Sequence, residues 1–141
     1  MIRFFLDTSV LFAAVHSSTG HARDILKAVE HEEVVLVTSQ YVLAEARRVL
    51  VDKSPQRYPV FDYLMTTLPW EVVEPTKGQV LAAAKYVEDI NDAPIIAAAR
   101  KAKVQALVTF DRKHLLGKPA IATYLRAKVL TPREALELLA D

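Results

Sequence analysis

Four acidic residues stand where this chain could assemble a carboxylate site: Asp7, Glu45, Asp92 and Asp111. Asp7 closes Ile2-Arg3-Phe4-Phe5-Leu6, an apolar run of the kind a strand buried on both faces requires. Asp111 comes two residues after Thr109, at the end of the similar run Ala106-Leu107-Val108-Thr109. If both strands are central and parallel, both acids emerge at one edge of the sheet, where open α/β sheets bind ligands. Each could equally cap a following helix, a position aspartate favours. Asp92 begins a helix that carries Pro94, and the macrodipole alone rewards an acid there by about 0.3–1 kcal/mol. Asp89 and Asn91 compete with it for any special role. Glu45 falls on the margin of its helix's apolar stripe, with Arg48 three residues on as a surface ion-pair partner.

If the four carboxylates converge, the chemistry follows from electrostatics. Two unit charges 4 Å apart repel by about 4 kcal/mol at an effective dielectric of 20. Several such pairs must raise some pKa values or recruit a cation. Mg²⁺ or Mn²⁺ suits an oxygen-rich site, whereas Zn²⁺ would bring nitrogen or sulfur ligands. Thr8, Ser9 and Thr109 are placed to orient carboxylates or water by hydrogen bonds. Such a site suits phosphodiester hydrolysis. Arg112, Lys113 and His114 directly follow Asp111 and would rim the mouth toward a substrate phosphate, with Lys118 close behind; a purely solvated role is the alternative. His114 stays outside the catalytic set, and His16, His21 and His31 show no ligand spacing.

Those acids need elements to position them. Val10–Val15 is apolar, and Ala22, Ile25, Leu26 and Val29 recur at helical spacing. Val34–Val37 reads as a second buried strand. Ser39 then caps a helix reaching about Asp52, with Val42, Leu43, Ala46, Val49 and Leu50 inward. Pro55 opens a further helix carrying Val60, Phe61, Leu64 and Leu68; Trp70–Val73 is a third strand. Thr76 and Gln79 form a capping box for a helix with Val80, Leu81, Ala84 and Val87 inward. Ala93–Ala99 is a small-residue helix that can pack tightly, and Ala106–Thr109 is the fourth strand. Ile121–Leu130 is irregular or holds a short strand near Lys128–Leu130. Thr131-Pro132-Arg133-Glu134 starts a last helix ending near Ala140. Strands alternating with helices imply a three-layer α/β/α sandwich around a mostly parallel sheet, a single domain over residues 1–141.

Composition narrows the function classes. The chain has 141 residues, 52% of them hydrophobic, and a net charge of +1, so no global basic field steers it to nucleic acid. There is no cysteine, which excludes disulfides and thiolate metal sites and fits a cytoplasmic location. No run approaches the ~20 apolar residues of a membrane span, and no secretory signal is evident. Three glycines, Gly20, Gly78 and Gly117, form no phosphate-binding loop.

Four motifs together resemble the PIN-domain family, which includes the VapC-like ribonuclease toxins of toxin–antitoxin pairs. They are Asp7-Thr8-Ser9 after the first strand, Glu45 in Val42-Leu43-Ala44-Glu45, Asp92 before Ala93-Pro94-Ile95-Ile96-Ala97-Ala98-Ala99, and Thr109-Phe110-Asp111. Their order spans essentially the whole chain, and Val129-Leu130-Thr131-Pro132-Arg133-Glu134-Ala135-Leu136 is similar to the tail of one toxin-component subgroup. The resemblance implies a Mg²⁺- or Mn²⁺-dependent endoribonuclease with Asp7, Glu45, Asp92 and Asp111 as its catalytic and metal-binding set. It also implies an RNA substrate, a small antitoxin lying over the pocket and a homodimer, for which Tyr58, Tyr63 and Met65 are interface candidates. Two other classes stay open. One is an inactive PIN-like module that binds RNA or protein. The other is a different Mg²⁺-dependent α/β phosphohydrolase, although Ser9 stands where haloacid-type phosphatases want a second aspartate.

Overall fold

A chain of buried apolar runs separated by amphipathic stretches folds most simply as adjacent strands joined by crossover helices. In the computed structural model, which describes residues 1–140, five strands form one parallel sheet. They are β1 (Ile2–Leu6), β2 (Val34–Thr38), β3 (Glu71–Val72), β4 (Ala106–Val108) and β5 (Lys128–Leu130), in the order β3-β2-β1-β4-β5. Eight α-helices flank it: α1 (Thr8–His16), α2 (His21–Lys27), α3 (Gln40–Lys53), α4 (Tyr58–Thr67), α5 (Lys77–Ala83), α6 (Ala93–Lys101), α7 (Pro119–Leu125) and α8 (Pro132–Ala140). Helices α1, α2 and α8 pack as one group, and α5, α6 and α7 as another. Among the described residues no helix is long and apolar enough to cross a membrane.

β1 is the central strand, and Phe4, Phe5 and Leu6 are fully buried, as its continuous apolar run requires. Phe5 pairs with Val37 on one side and Leu107 on the other. Its one charged residue is held in place. Arg3 donates two hydrogen bonds to the Glu71 carboxylate, at 2.8 and 2.9 Å, and two more to the Ala102 carbonyl. The chain winds from β1 through β2 to β3, then returns to β4 on the other flank of β1. That reversal makes the gap between the carboxyl ends of β1 and β4 the topological switch point. In α6, Ile95–Ala99 are all buried, the close packing that small residues allow.

The helix starts follow the expected chemistry. Ser39 accepts from the Val42 amide, and the boxes at Thr76/Gln79 and Thr131/Glu134 are both reciprocal. Two expectations need correction. Leu81 is 72% exposed rather than inward. The face that packs on the core is Val80, Ala83, Ala84 and Val87, spaced i, i+3, i+4 and i+7, and Leu81 stands about 100° round the helix from Val80. After Gly117 the short strand at Lys128–Leu130 is present as β5, as one of the two readings has it, but it is preceded by a helix, α7, that opens on Pro119.

Candidate metal centre

The switch point is built around Asp7, which is only 4% exposed. Its Oδ1 accepts from the Ser9 hydroxyl at 2.6 Å and the Val10 amide at 3.3 Å; Oδ2 accepts from the Thr109 hydroxyl at 2.5 Å. Asp7 therefore caps α1 and is bonded to the residue after β4 at once. Burial raises its carboxyl pKa, opposed by the hydrogen bonds from Ser9, Thr109 and Val10. The same two hydroxyls reach onward. Ser9 Oγ accepts from the Phe110 amide at 3.1 Å, and Thr109 Oγ1 from the Asp111 amide at 3.0 Å. Asp111 then folds the following turn over itself, its Oδ1 accepting from the amides of Lys113 at 3.0 Å and His114 at 2.9 Å. This brings the His114 ring to 3.6 Å from Asp111 Oδ2.

Asp92 approaches from the start of α6. Its side chain makes no capping hydrogen bond, and Oδ2 is buried without any partner. Its pKa is pushed up to about 6, first by burial, then by the charges of Asp111 and Asp89, with Asp7 adding and His114 opposing. Asp89, Asp92 and His114 each offer a ligand atom, and these atoms lie within 4.8 Å of one another. Asp89 is set by a local turn in which its Oδ1 accepts from the Asn91 amide at 2.9 Å.

Glu45 lies half-buried on α3, and among the described residues it forms no ion pair, with Arg48 or otherwise. Tyr41, one turn earlier, has its phenol pKa raised first by burial, then by the charges of Glu45, Asp92 and Asp89. Thr8 Oγ1 is buried with no hydrogen-bond partner, while Ser9 and Thr109 serve Asp7. Arg112 and Lys113 are exposed and His114 half-buried. Lys118 is engaged with Glu88 at 2.8 Å. Of the interface candidates, Tyr63 is 64% exposed, whereas Tyr58 and Met65 pack partly against the core. The sequence marks Asp89 only as a competitor of Asp92 and His114 only as a substrate contact at the mouth, and it gives no sign of Tyr41. Asp-x-Asn at 89–91 and Asp-x-x-His at 111–114 are the local patterns that mark the first two.

A model of the PIN domain matches residues 4–117, a span from β1 through the turn that carries His114. The chain belongs to the PIN domain family. Solved structures share this PIN fold at low identity. PAE2754 from Pyrobaculum aerophilum is 18% identical with a TM-score of 0.67, over 99% of this chain and 91% of that one. VapBC2 from Rickettsia felis, solved bound to a DNA fragment from their promoter, is 17% identical with a TM-score of 0.62, over 79% and 90%. Mycobacterium tuberculosis VapC20, a sarcin–ricin loop cleaving toxin, is 20% identical with a TM-score of 0.57, over 78% and 91%. No curated protein matches the chain.

The donor set of this PIN domain fits a divalent cation. An unpartnered buried carboxylate oxygen, a carboxyl pushed up to about 6 and three ligand atoms within 4.8 Å are what a cation would satisfy together. The set is richer than an all-carboxylate cluster, because His114 contributes a ring nitrogen.

Proposed function

We propose that this PIN domain is a divalent-metal-dependent endoribonuclease, the toxin of a toxin–antitoxin pair. The observation that carries the reading is Asp92, whose buried, unpartnered oxygen sits among Asp89, Asp111, His114 and Asp7 at the switch point. Asp92, Asp89 and His114 would hold the ion, with Asp7 and Asp111 beside them and Glu45 at the border. Mn²⁺ or Mg²⁺ suits these hard donors, and one imidazole is better tolerated by Mn²⁺. When bound, the cation neutralises charge building on a phosphodiester and acidifies water. Ser9 and Thr109 keep Asp7 oriented, and the turn closed by Asp111 presents Arg112 and Lys113 to the substrate backbone. In the hydrolysis a water oxygen bonds to phosphorus and one bridging P–O bond breaks. The water's proton ends on the leaving ribose oxygen. RNA as substrate draws support from the family and from the activity of VapC20.

The test is cleavage of end-labelled single-stranded RNA by the purified chain in Mn²⁺. Cleavage is expected to stop in excess chelator and in Asp111→Asn. Cleavage that persists in either would overturn the reading. The same reading brings an antitoxin whose tail lies over the acidic pocket, and a homodimer that uses Tyr63. Sedimentation equilibrium at micromolar concentration is expected to give twice 15.7 kDa. A concentration-independent monomer removes the dimer.

A further inference from the structure

A second concavity opens beside the carboxylates and shares His114 with them. It is a groove of about 330 Å³ whose lining includes Lys85, Tyr86, Glu88, His114, Lys118 and Ile121. Tyr86 lies in the 3₁₀ turn after α5 and is 44% exposed, although a large aromatic ring gains by being covered. The ring is not loose. It stacks on buried Tyr124 of α7, with centroids 4.6 Å apart and planes 29° apart. The Arg100 guanidinium lies 4.4 Å over Tyr124 in turn. Tyr86 is thus the outermost member of a braced three-part stack, and its uncovered surface belongs to the groove. Lys118 and Glu88, paired at 2.8 Å, place a hydrogen-bond donor and an acceptor side by side in the same lining.

We propose that this groove is a nucleobase subsite, in which one unpaired base of the RNA stacks on Tyr86 while the adjoining phosphate reaches the His114 side of the metal centre. A flat apolar ring held rigid, flanked by cations and next to a phosphate-handling centre, is how single-stranded nucleic acid is gripped. The neighbouring Lys85 ammonium serves the backbone, and the Lys118–Glu88 pair can meet donor and acceptor atoms on a base edge. The inference rests on the ribonuclease reading and adds where the substrate lies.

Its test uses single-stranded RNA decamers carrying 5-iodouridine at one position each, irradiated with the wild-type chain in Ca²⁺, and the same RNAs in Mn²⁺ kinetics. A photo-crosslink to Tyr86 from one position is expected. Tyr86→Ala is expected to raise KM by between about 5- and 150-fold with little change in kcat. Tyr86→Phe, which keeps the ring and its stack, is expected to stay within about twofold of wild type. Matching thermal melts for the two variants show that the difference is not one of folding. Crosslinks confined to other residues, or an unchanged KM in Tyr86→Ala, overturn the subsite and leave the nuclease standing. A wild-type chain that cleaves none of the RNAs but crosslinks at Tyr86 places the fault in the nuclease reading instead.

Discussion

Asp92→Asn is expected to abolish metal binding and RNA cleavage while making the metal-free protein more stable. The cause lies in one carboxyl. Its pKa is raised from 3.8 to about 6 in the folded chain, so the folded state holds this proton more tightly than the unfolded state. Stability from this group is therefore greatest at low pH. It falls as pH rises from about 4 through about 6 and stays low above that window. Asp7 shifts in the same direction and adds to the effect. Asparagine removes the penalty at neutral pH. Because Asp92 is only half-buried, solvent screening reduces the gain to on the order of 1 kcal/mol, a rise of about 3 °C in Tm. Cleavage should fall about a hundredfold or more, since a cation supplies several kcal/mol to such a transition state. Calorimetric titration with Mn²⁺ and thermal melts at pH 5 and pH 7.5 check both halves. In Mn²⁺ the order of stability should invert, because only the wild type gains binding energy. A variant that binds Mn²⁺ like wild type, or melts lower than wild type without metal, contradicts this account.

Thr109→Val should injure the protein from the opposite side. Valine keeps the shape but removes the hydroxyl that donates to Asp7 Oδ2 at 2.5 Å and accepts from the Asp111 amide at 3.0 Å. A fully buried carboxylate then loses a donor, and an amide loses its acceptor. The expected cost is about 1–3 kcal/mol in urea denaturation at pH 7 with an unchanged slope. Cleavage should drop roughly 10- to 100-fold, as when other supports of metal-bound groups are removed. Thr109→Ser retains the hydroxyl and should recover most of both. An unaltered urea midpoint in the valine variant would show that the hydroxyl does not hold Asp7.

Much of this was legible in the sequence because the physics involved is local. A run such as Phe4-Phe5-Leu6 can be satisfied only inside a sheet, and β1 is the central strand. The reciprocal caps at Thr76/Gln79 and Thr131/Glu134 need only four consecutive residues. Asp7, Asp92 and Asp111 lie at the ends of elements, where periodicity marks a boundary. What escaped depends on turns and on contacts between elements. His114 joins the acids because Asp111 binds two amides of its own turn, a geometry without periodicity. Asp89 and Tyr41 gain meaning only once the start of α6 and the start of α3 meet. Leu81 falls outside because Ala83, not Leu81, completes the inward face with Val80, Ala84 and Val87, and size alone does not reveal that. Glu45 stands out only through family order, and in the structure its charge, with those of Asp92 and Asp89, raises the pKa of the Tyr41 phenol.

The hydrogen bond from Thr109 to Asp7 joins residues 102 positions apart. During synthesis Asp7 emerges early and waits: β1 can pair with β2, but its other flank stays open until β4 has been made. Until then the carboxylate has neither Thr109 to hold it nor Asp111 and His114 to complete its surroundings. A partly made chain therefore carries no assembled centre, however well its first half has folded. For a protein read as an RNA-cutting toxin, born beside RNA on the ribosome, late assembly is a safeguard written into strand order.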